Sequence, residues 1–268
     1  MAGMATIIGA AGFVGRRLAQ RLKADGAEVF APVKGDPALL TADLGLVFYC
    51  AGLTADYDQR PFDTVEAHAS LLSEVIQAGR FKRLVYLSST RLYDGLPLAR
   101  ADEYTPLTFE VTDPRRVYDL SKALGENLTL ARTNGRGSVA RLGNVFDGEF
   151  GAPGFLSEWM IRARTERRLV LDSSPNIRRD YVHLDDVVSA LVAIGGAPEG
   201  IFNVAGGRCV SNEQIATVFR RLGWEVELTG AANPPTPPAA DIARLKALGV
   251  HPRSVEDVVG DYLQGLGA

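Results

Sequence analysis

The chain has 268 residues, a net charge of -3 at pH 7 and 46% hydrophobic residues, values typical of a globular protein with one large domain or one and a half. The slightly acidic composition without a basic block argues against nucleic acid as a main partner. The apolar stretches are shorter than the roughly 20 residues of a membrane span, and the first strand leaves no room for a signal peptide, so we expect a cytoplasmic protein.

The first half of the chain alternates apolar strands with amphipathic helices. Strands are predicted at Met4–Ile8, Glu28–Val33, Leu46–Cys50, Arg83–Leu87 and Ser138–Leu142. Helices are predicted at Gly12–Asp25, Phe62–Gly79 and Pro114–Arg132. This alternation predicts a parallel sheet that is covered on both faces. Because Lys34–Gly45 is too short for the helix and strand expected there, we expect the sheet to lack an edge strand.

The pattern becomes looser after residue 150. Helices are predicted at Gly154–Thr165, Leu184–Ile194, Asn212–Leu222 and Ala240–Leu248. Short strands are predicted at Leu169–Leu171, Tyr181–His183, Ile201–Val204 and Glu225–Leu228. The prolines of Ala231–Pro238 exclude both a helix and a central strand, so this stretch is predicted to be a surface linker.

Potential metal ligands are few and scattered. Cys50 and Cys209 lie far apart, and Cys50 follows a hydrophobic run, which favours free thiols over a disulfide. The three histidines show no metal-ligand spacing. We therefore expect no metal site.

A glycine motif, Gly9-x-x-Gly12-x-x-Gly15, joins the first predicted strand to the first predicted helix. Gly9 allows a sharp turn, Gly12 allows a ligand to approach the backbone, and Gly15 allows the helix to pack tightly on the sheet. The free N–H groups at the start of such a helix, here those of Phe13 and Val14, favour a pyrophosphate. Simple turn chemistry is the alternative, but the strand before and the helix after the motif favour a dinucleotide.

A second candidate site combines a tyrosine, a lysine and a hydroxyl group. Tyr118 and Lys122 are four residues apart in RRVYDLSKALGEN and share one face of the predicted helix. A nearby ammonium stabilises a phenolate and favours its use as a general base. Ser88, Ser89 and Thr90 directly follow a strand, at the sheet edge where such folds bind ligands. The alternatives are a surface pair without function and an ordinary turn.

These motifs, together with ARLGNVFDG at residues 140–148 and RRDYVHLDDV at 178–187, resemble the extended short-chain dehydrogenase/reductase family, and within it the nucleotide-sugar epimerases and dehydratases. The matches are collinear and span nearly the whole chain. The resemblance implies an α/β fold with a Rossmann-type doubly wound parallel sheet and a small α+β C-terminal region. The dinucleotide-binding domain is expected at residues 1–150 with about 178–205, and the substrate-binding region at about 151–177 and 206–268.

The resemblance also implies roles for the tyrosine, lysine and serine. Tyr118 is expected to be the catalytic acid/base, while Lys122 lowers its pKa and binds the nicotinamide ribose. Ser89 is expected to orient the substrate, and Ser88 and Thr90 are the alternatives in register. The chemistry implied is reversible hydride transfer between a sugar carbon and a nicotinamide cofactor.

Further positions are expected to bind the substrate and the cofactor. Asn144 and Arg179 match contacts to the nucleotide diphosphate, although Arg179 has Asp180, Asp185 or Asp186 as alternative partners. Ala51 and Gly52 match the family's turn that passes the cofactor.

The chain departs from the family pattern at the positions that follow the catalytic serine. The 4,6-dehydratases carry an Asp-Glu pair there, whereas this chain has Thr90 and Arg91, so dehydration is disfavoured. Arg91 is suited to an anionic substrate group, with an exposed surface arginine as the alternative. An epimerase or keto-reductase of a nucleotide sugar is therefore predicted. The alternatives are a reductase of a small non-nucleotide carbonyl compound and a non-catalytic dinucleotide sensor.

The cofactor prediction rests on the end of the second strand. NAD-specific relatives place an acid there, whereas this chain has Val33 followed by Lys34, which favours NADP over NAD with Lys34 near the 2′-phosphate. Asp36 is an alternative ribose ligand. Asp43 is expected to approach the adenine.

Two further expectations concern His68, in the helix predicted at Phe62–Gly79, and the oligomeric state. His68 replaces the family's usual Asn, and a buried, hydrogen-bonded structural histidine is favoured over a functional one. Because relatives often form dimers through the helix that bears the tyrosine, a homodimer is possible.

Overall fold

The computed structural model describes residues 3–53 and 56–267. The chain divides into two compact units. The first unit contains Met1–Leu92, Pro106–Arg141 and Val188–Phe202, and the second contains Tyr93–Thr105, Leu142–Val187 and Asn203–Ala268.

The strands and helices are numbered in chain order. The strands are β1 (Met4–Ile8), β2 (Glu28–Phe30), β3 (Leu46–Tyr49), β4 (Arg83–Ser89), β5 (Arg100–Ala101), β6 (Gly137–Leu142), β7 (Asn144–Phe146), β8 (Arg168–Leu171), β9 (Arg178–His183), β10 (Gly200–Val204), β11 (Cys209–Ser211), β12 (Glu225–Leu228) and β13 (Ala239–Ala240). The α-helices are α1 (Phe13–Ala24), α2 (Ala38–Thr41), α3 (Pro61–Val65), α4 (Leu71–Ala78), α5 (Val117–Arg132), α6 (Phe155–Arg162), α7 (Leu184–Gly196), α8 (Asn212–Arg221), α9 (Ala243–Ala247) and α10 (Val255–Gly267).

The main sheet has six strands in the order β10-β6-β4-β3-β1-β2. The pairings β1–β2, β1–β3 and β3–β4 are parallel. The chain crosses from one side of β1 to the other between β2 and β3, which is where a doubly wound sheet opens a crevice for ligands. Within the described residues the sheet ends at β2, and the predicted loss of an edge strand is confirmed. The connection from β2 to β3 contains the four-residue helix α2.

The core of the first unit lies between this sheet and the helices that cover it. Leu44, Val47, Leu72, Val75 and Leu84 are fully buried there. Strands that are apolar at successive positions are the pattern expected when helices cover both faces. Burial of these side chains is the main force that holds the α3–α4 and α5 helices on the sheet.

The second unit contains smaller sheets and its own core. Strands β11, β9 and β7 form one sheet, in which β9 pairs antiparallel with β11 and parallel with β7. Strands β12 and β8 form a parallel pair. Trp159 packs edge-on against Phe219, with 5.8 Å between the ring centres. The core around this pair also includes Leu263 of α10. Residues 231–238 form neither helix nor strand, as the prolines predict.

Several predicted boundaries change. The second strand stops at Phe30 rather than Val33 because Pro32 lacks an N–H for the ladder. The fourth strand continues past Leu87 to Ser89. The helix predicted at Phe62–Gly79 is interrupted by a π-helical turn, Glu66–Ser70. Helix α10 and the strands β5, β7, β11 and β13 were not predicted. Within the described residues, no helix is both long and apolar enough to cross a membrane.

Candidate active site

The glycine turn lies where β1 ends beside β3. The Cys50 N–H donates to the Ile8 carbonyl at 2.8 Å and continues the β1–β3 pairing to this edge. Gly9 has φ of 88°, and a Cβ at this position would lie 2.7 Å from the Ala51 nitrogen. A Cβ at Gly15 would lie 2.3 Å from the Gly9 carbonyl oxygen. Both positions therefore require glycine, for the turn and for close packing of α1.

The start of helix α1 is accessible to a ligand. Gly12 is the N-cap residue, and no described side chain caps the helix. A Cβ at Gly12 would contact only the Gly9 carbonyl oxygen, at 3.3 Å, among the described residues. Phe13 and Val14 begin the helix, and no acidic residue lies in its first turn. The N-terminal N–H groups and the helix dipole thus favour an anion here.

Tyr118 and Lys122 are both buried on one face of α5, against β4. The Lys122 ammonium donates a hydrogen bond of 2.8 Å to the Leu87 carbonyl, and its nitrogen lies 5.0 Å from the centre of the Tyr86 ring. Tyr118 is hydrogen-bonded to Ser89, which also accepts a 3.1 Å hydrogen bond from the Arg91 N–H. Of the three hydroxyls considered at this strand end, Ser89 is therefore the one that bonds to the phenol.

Burial dominates the pKa values of this cluster. It raises the pKa of Tyr118, and the Ser89 hydrogen bond and the charge of Arg91 oppose that rise. Burial lowers the pKa of Lys122 to about 7, against the opposing charge of Glu126. The expected lowering of the phenol pKa by Lys122 is therefore not the dominant effect in this structure.

Arg91 packs against Tyr57 and Tyr118 and is not an isolated surface arginine. Its Nε is 3.1 Å from the buried Asp119 carboxylate, and its Nη2 donates to the Tyr57 hydroxyl at 2.8 Å. Its guanidinium carbon lies 4.6 Å from the centre of the Tyr57 ring and 5.1 Å from that of Tyr118. Arg116 donates to the second oxygen of Asp119 at 2.9 Å. Two guanidinium groups thus share the Asp119 carboxylate, and Arg116 also lies 3.6 Å from the carboxylate of Asp113.

Tyr57, Asp119 and Arg116 were not identified from the sequence. Asp119 directly follows Tyr118, and that adjacency was the available signal. Tyr57 lies in a loop without a pattern that points to the site. Its contact with Arg91 depends on tertiary folding, which the local sequence does not show.

The two residues expected to bind a nucleotide diphosphate belong to the second unit. The Arg179 guanidinium lies 5.2 Å from the centre of the Phe155 ring and is hydrogen-bonded to Tyr181. Its Nη1 is buried without a hydrogen-bond partner among the described residues. Asn144 is exposed, and its amide donates to the Asp180 carbonyl at 3.3 Å.

The acids considered as partners of Arg179 have other contacts. The Asp180 carboxylate accepts hydrogen bonds from the N–H groups of Gly206, Gly207 and Ala240 at 2.7 to 3.1 Å. Burial raises its pKa to about 6 despite these bonds. Asp186 binds Arg253, with 3.1 Å between the nearest atoms, and Asp185 lies 3.6 Å from His183.

Of the residues expected near the adenosine, Lys34 and Asp43 are exposed and Asp36 is half-buried. Lys34 lies in the loop after β2. Asp36, the alternative ribose ligand, accepts a 2.9 Å hydrogen bond from the Ala38 N–H. Asp43 is exposed and accepts a 3.0 Å hydrogen bond from the Gly45 N–H. Both acids therefore stabilise local turns.

Comparisons with known proteins agree with this arrangement. A sequence model described as the NAD dependent epimerase/dehydratase family matches residues 5–205. The chain belongs to this family. The predicted family and Rossmann-type fold are confirmed, and with them the prediction of an NAD(P)-dependent enzyme.

Individual relatives of this epimerase/dehydratase chain differ in reaction. It is 29% identical over 260 residues to UDP-glucose 4-epimerase of Mycolicibacterium smegmatis, with 80% of each chain covered. It is 24% identical over 256 residues to dTDP-4-dehydro-6-deoxy-D-allose reductase of Streptomyces bikiniensis, with 78% of each chain covered. The structure of MoeE5 in complex with UDP-glucose and NAD superposes with a TM-score of 0.78 at 21% identity, covering 98% of each chain.

The glycine turn of this family member fits the cofactor that the family name implies. Gly9 and Gly15 bring the backbone together where a Cβ would collide, and Gly12 leaves the helix start accessible. The N–H groups of the first turn are the expected donors to a pyrophosphate. Ala51 and Gly52 continue the chain beside this turn, since the Ala51 nitrogen lies next to Gly9.

The close contact at Gly15 provides a test of this assignment. In Gly15→Ala the new Cβ would collide with the Gly9 carbonyl and push α1 away from the turn, so affinity for NAD or NADP should fall at least about tenfold. Calorimetric titration measures this change. Gly196→Ala is the matched control, because no atom of the described residues lies within 4 Å of its Cβ position, and it should bind as the wild type does. Equal affinities in the two variants would contradict the assignment.

Proposed function

We propose that the chain is an NAD(P)-dependent epimerase or keto-reductase that acts on a nucleotide sugar, with Tyr118 as the acid/base. The observation that carries this proposal is the hydrogen bond between Tyr118 and Ser89 at the end of β4, with Lys122 one helical turn along the same buried face. A proton donor, an orienting hydroxyl and a cation at one strand end are the groups that carbonyl reduction and alcohol oxidation need.

Each residue has a defined role in this mechanism. Ser89 donates to the reacting oxygen of the substrate and orients it. Tyr118 gives a proton to that oxygen during reduction and takes it back during oxidation. Because burial raises its pKa, the neutral, proton-donating form is the resting form near pH 7. The Ser89 hydrogen bond and the Arg91 charge favour the phenolate in the reverse direction. When bound, the nicotinamide ring supplies or accepts the hydride.

The residues after Ser89 favour epimerisation or reduction over dehydration. Elimination of water needs an acid and a base, and Thr90 and Arg91 occupy the positions where dehydratases of this family carry carboxylates. In our proposal both residues face the substrate. The Arg91 guanidinium is partly exposed, and it is a suitable partner for an anionic group on the sugar.

We assign recognition of the nucleotide to the second unit. The buried Nη1 of Arg179 lacks a partner among the described residues and is a suitable donor to a diphosphate oxygen. Asn144 is proposed as a second donor. The named substrates of the relatives, a UDP-sugar and a dTDP-sugar, support this class of ligand.

The acid/base role is tested by Tyr118→Phe. This variant keeps the ring packed against Tyr57 but loses the proton, so turnover of UDP- or dTDP-hexoses should fall by at least about 10²-fold with little change in cofactor affinity. Tyr104→Phe, at an exposed position, is the matched control. Product analysis by NMR separates an epimerised sugar from a reduced one. Full activity of Tyr118→Phe would exclude the proposed mechanism.

We also propose that NADP is preferred over NAD, with Lys34 near the 2′-phosphate. An exposed lysine after β2, with Asp36 engaged in a turn, supports this preference. Lys34→Ala should therefore weaken NADP binding about tenfold and leave NAD binding nearly unchanged, as measured by calorimetric titration. Lys23→Ala serves as the control, because Lys23 lies at the end of α1 that is far from the glycine turn. An equal loss for both cofactors would refute the phosphate contact.

Finally, we propose a homodimer formed through an apolar face of the first unit. This face includes Phe62, Val65, Val111 and Leu124, which are exposed although they are large and apolar. Val65 of α3, Val111 and Leu124 of α5 line one groove, and Phe62 lies three residues before Val65 on α3. Such a patch is typical of an association surface.

Light scattering coupled to size-exclusion chromatography tests the dimer. The wild type should elute as a dimer, and Leu124→Glu should elute as a monomer because it places a charge in the apolar contact. Leu98→Glu is the control at similar exposure, since Leu124 is 49% and Leu98 is 45% exposed. A monomeric wild type would rule out this proposal.

A further inference from the structure

A second phenol lies beside Tyr118, and the proposed mechanism gives it no role. The ring centres of Tyr57 and Tyr118 are 5.2 Å apart, with 55° between the ring planes. The His68 ring also contacts Tyr118, at 5.1 Å, but it is fully buried and hydrogen-bonded to Ser121 at 2.9 Å. Tyr57 is only half-buried. Of these two neighbours of Tyr118, Tyr57 is therefore the one that a ligand can reach.

The Tyr57 hydroxyl is engaged as an acceptor but not as a donor. Its oxygen accepts a 2.8 Å hydrogen bond from Arg91 Nη2, and its proton has no acceptor among the residues that the structure describes. A phenol can donate its one proton while its oxygen accepts. A hydrogen bond from a cation to the oxygen polarises the O–H group and strengthens it as a donor. Tyr57 thus presents one strengthened donor next to Tyr118.

Arg91 binds the hydroxyls of Ser89 and Tyr57 at the same time. Its backbone N–H donates to Ser89 Oγ at 3.1 Å, and its guanidinium donates to Tyr57. Its Nε lies 3.1 Å from the fully buried Asp119 carboxylate, which holds the side chain in place. Ser89 is in turn hydrogen-bonded to Tyr118. Two pairs of polar groups, Ser89 with Tyr118 and Tyr57 with Arg91, are therefore linked through one residue.

The backbone that carries Tyr57 is anchored on both sides of this residue. The hydroxyl of the buried Thr64, on α3, donates to the Tyr57 carbonyl at 3.3 Å. The N–H groups of Gln59 and Arg60 donate to the Asp56 carbonyl at 3.1 and 3.0 Å and close a turn around Tyr57. A side chain on an anchored turn loses little conformational freedom when a ligand binds. The segment is therefore suited to hold a binding residue.

We propose that Tyr57 is a specificity-determining residue, whose hydroxyl donates to a second oxygen of the substrate sugar while Ser89 and Tyr118 hold the reacting oxygen. This inference rests on the proposed function, because it requires a sugar to bind beside Tyr118. The site then selects sugars that keep this second oxygen over their deoxy forms. Loss of the oxygen leaves the proton of Tyr57 without a partner in the complex.

Binding of deoxy sugars tests the inference without an activity assay. The full chain is saturated with NADH or NADPH, so that a sugar alcohol binds without reacting. It is then titrated calorimetrically with UDP-glucose and with its 2-, 3-, 4- and 6-deoxy analogues, or with the dTDP series if that series binds more tightly. In Tyr57→Phe, the affinity for UDP-glucose should fall about threefold to tenfold, the effect of one neutral hydrogen bond. One analogue, which lacks the oxygen that Tyr57 binds, should keep its wild-type affinity.

Three further variants complete the test. Ser89→Ala identifies the reacting oxygen, and the analogue that keeps its affinity in this variant should differ from the one found with Tyr57→Phe. Tyr57→Leu also lacks the hydroxyl, covers the case in which Tyr57→Phe folds poorly, and should give the same pattern. Tyr104→Phe is the matched control, because the Tyr104 hydroxyl likewise accepts a hydrogen bond from an arginine, Arg244, but is exposed on the second unit. It should bind every ligand as the wild type does.

The possible outcomes separate this inference from the proposed function. An equal loss for UDP-glucose and all analogues, or no loss for any of them, would mean that Tyr57 only packs against Arg91 and would overturn the inference. The same insensitive analogue for Tyr57→Phe and Ser89→Ala would also overturn it, since both residues would then bind one oxygen. A wild-type chain that binds no nucleotide sugar would refute the proposed function and the inference together. Different insensitive analogues for the two variants support both.

Discussion

The close approach of α5 to β4 and the π-helical turn is the constraint on which the candidate site depends. A Cβ at Gly125 would lie 2.3 Å from the Tyr86 hydroxyl oxygen and 2.9 Å from the His68 carbonyl oxygen. Only glycine permits this spacing. Because α5 is rigid, the contact at Gly125 also sets the depth at which Tyr118 and Lys122 lie against the strand end. One residue without a side chain thus positions the two residues to which we assign the chemistry.

Burial and charge act in opposite directions on the phenol, and burial is the stronger effect. Lys122 does not offset it, because burial also lowers the pKa of the lysine itself. The arginine near the phenol keeps its charge in any environment, whereas a buried ammonium readily loses its proton. Arg91 is therefore the dependable cation beside Tyr118, and Asp119 holds it there. In our proposal, Lys122 therefore binds the cofactor, and Arg91 rather than Lys122 lowers the pKa of the phenol.

The sequence predicted the parts of the site that depend on local spacing. Three glycines between a strand and a helix, and a tyrosine and lysine one turn apart, depend on local spacing, so the sequence predicted that Gly12 lies at the start of α1 and that Lys122 lies on the same face of α5 as Tyr118. Contacts between segments that are distant in the sequence could not be predicted in this way. Arg91 and Tyr57 are 34 residues apart, and no periodicity relates them. The π-helical turn was missed because the apolar pattern of an α-helix continues through it.

The two tyrosines that support the π-helical turn have a consequence for how this chain can vary. Tyr49 and Tyr86 lie in the middle of an apolar core, where a phenylalanine would have the right shape and size. Each hydroxyl, however, donates a hydrogen bond to a carbonyl group of the π-helical turn. Replacement by phenylalanine would remove that hydrogen bond from the interior. Two positions that look freely exchangeable by hydrophobicity therefore favour tyrosine over phenylalanine.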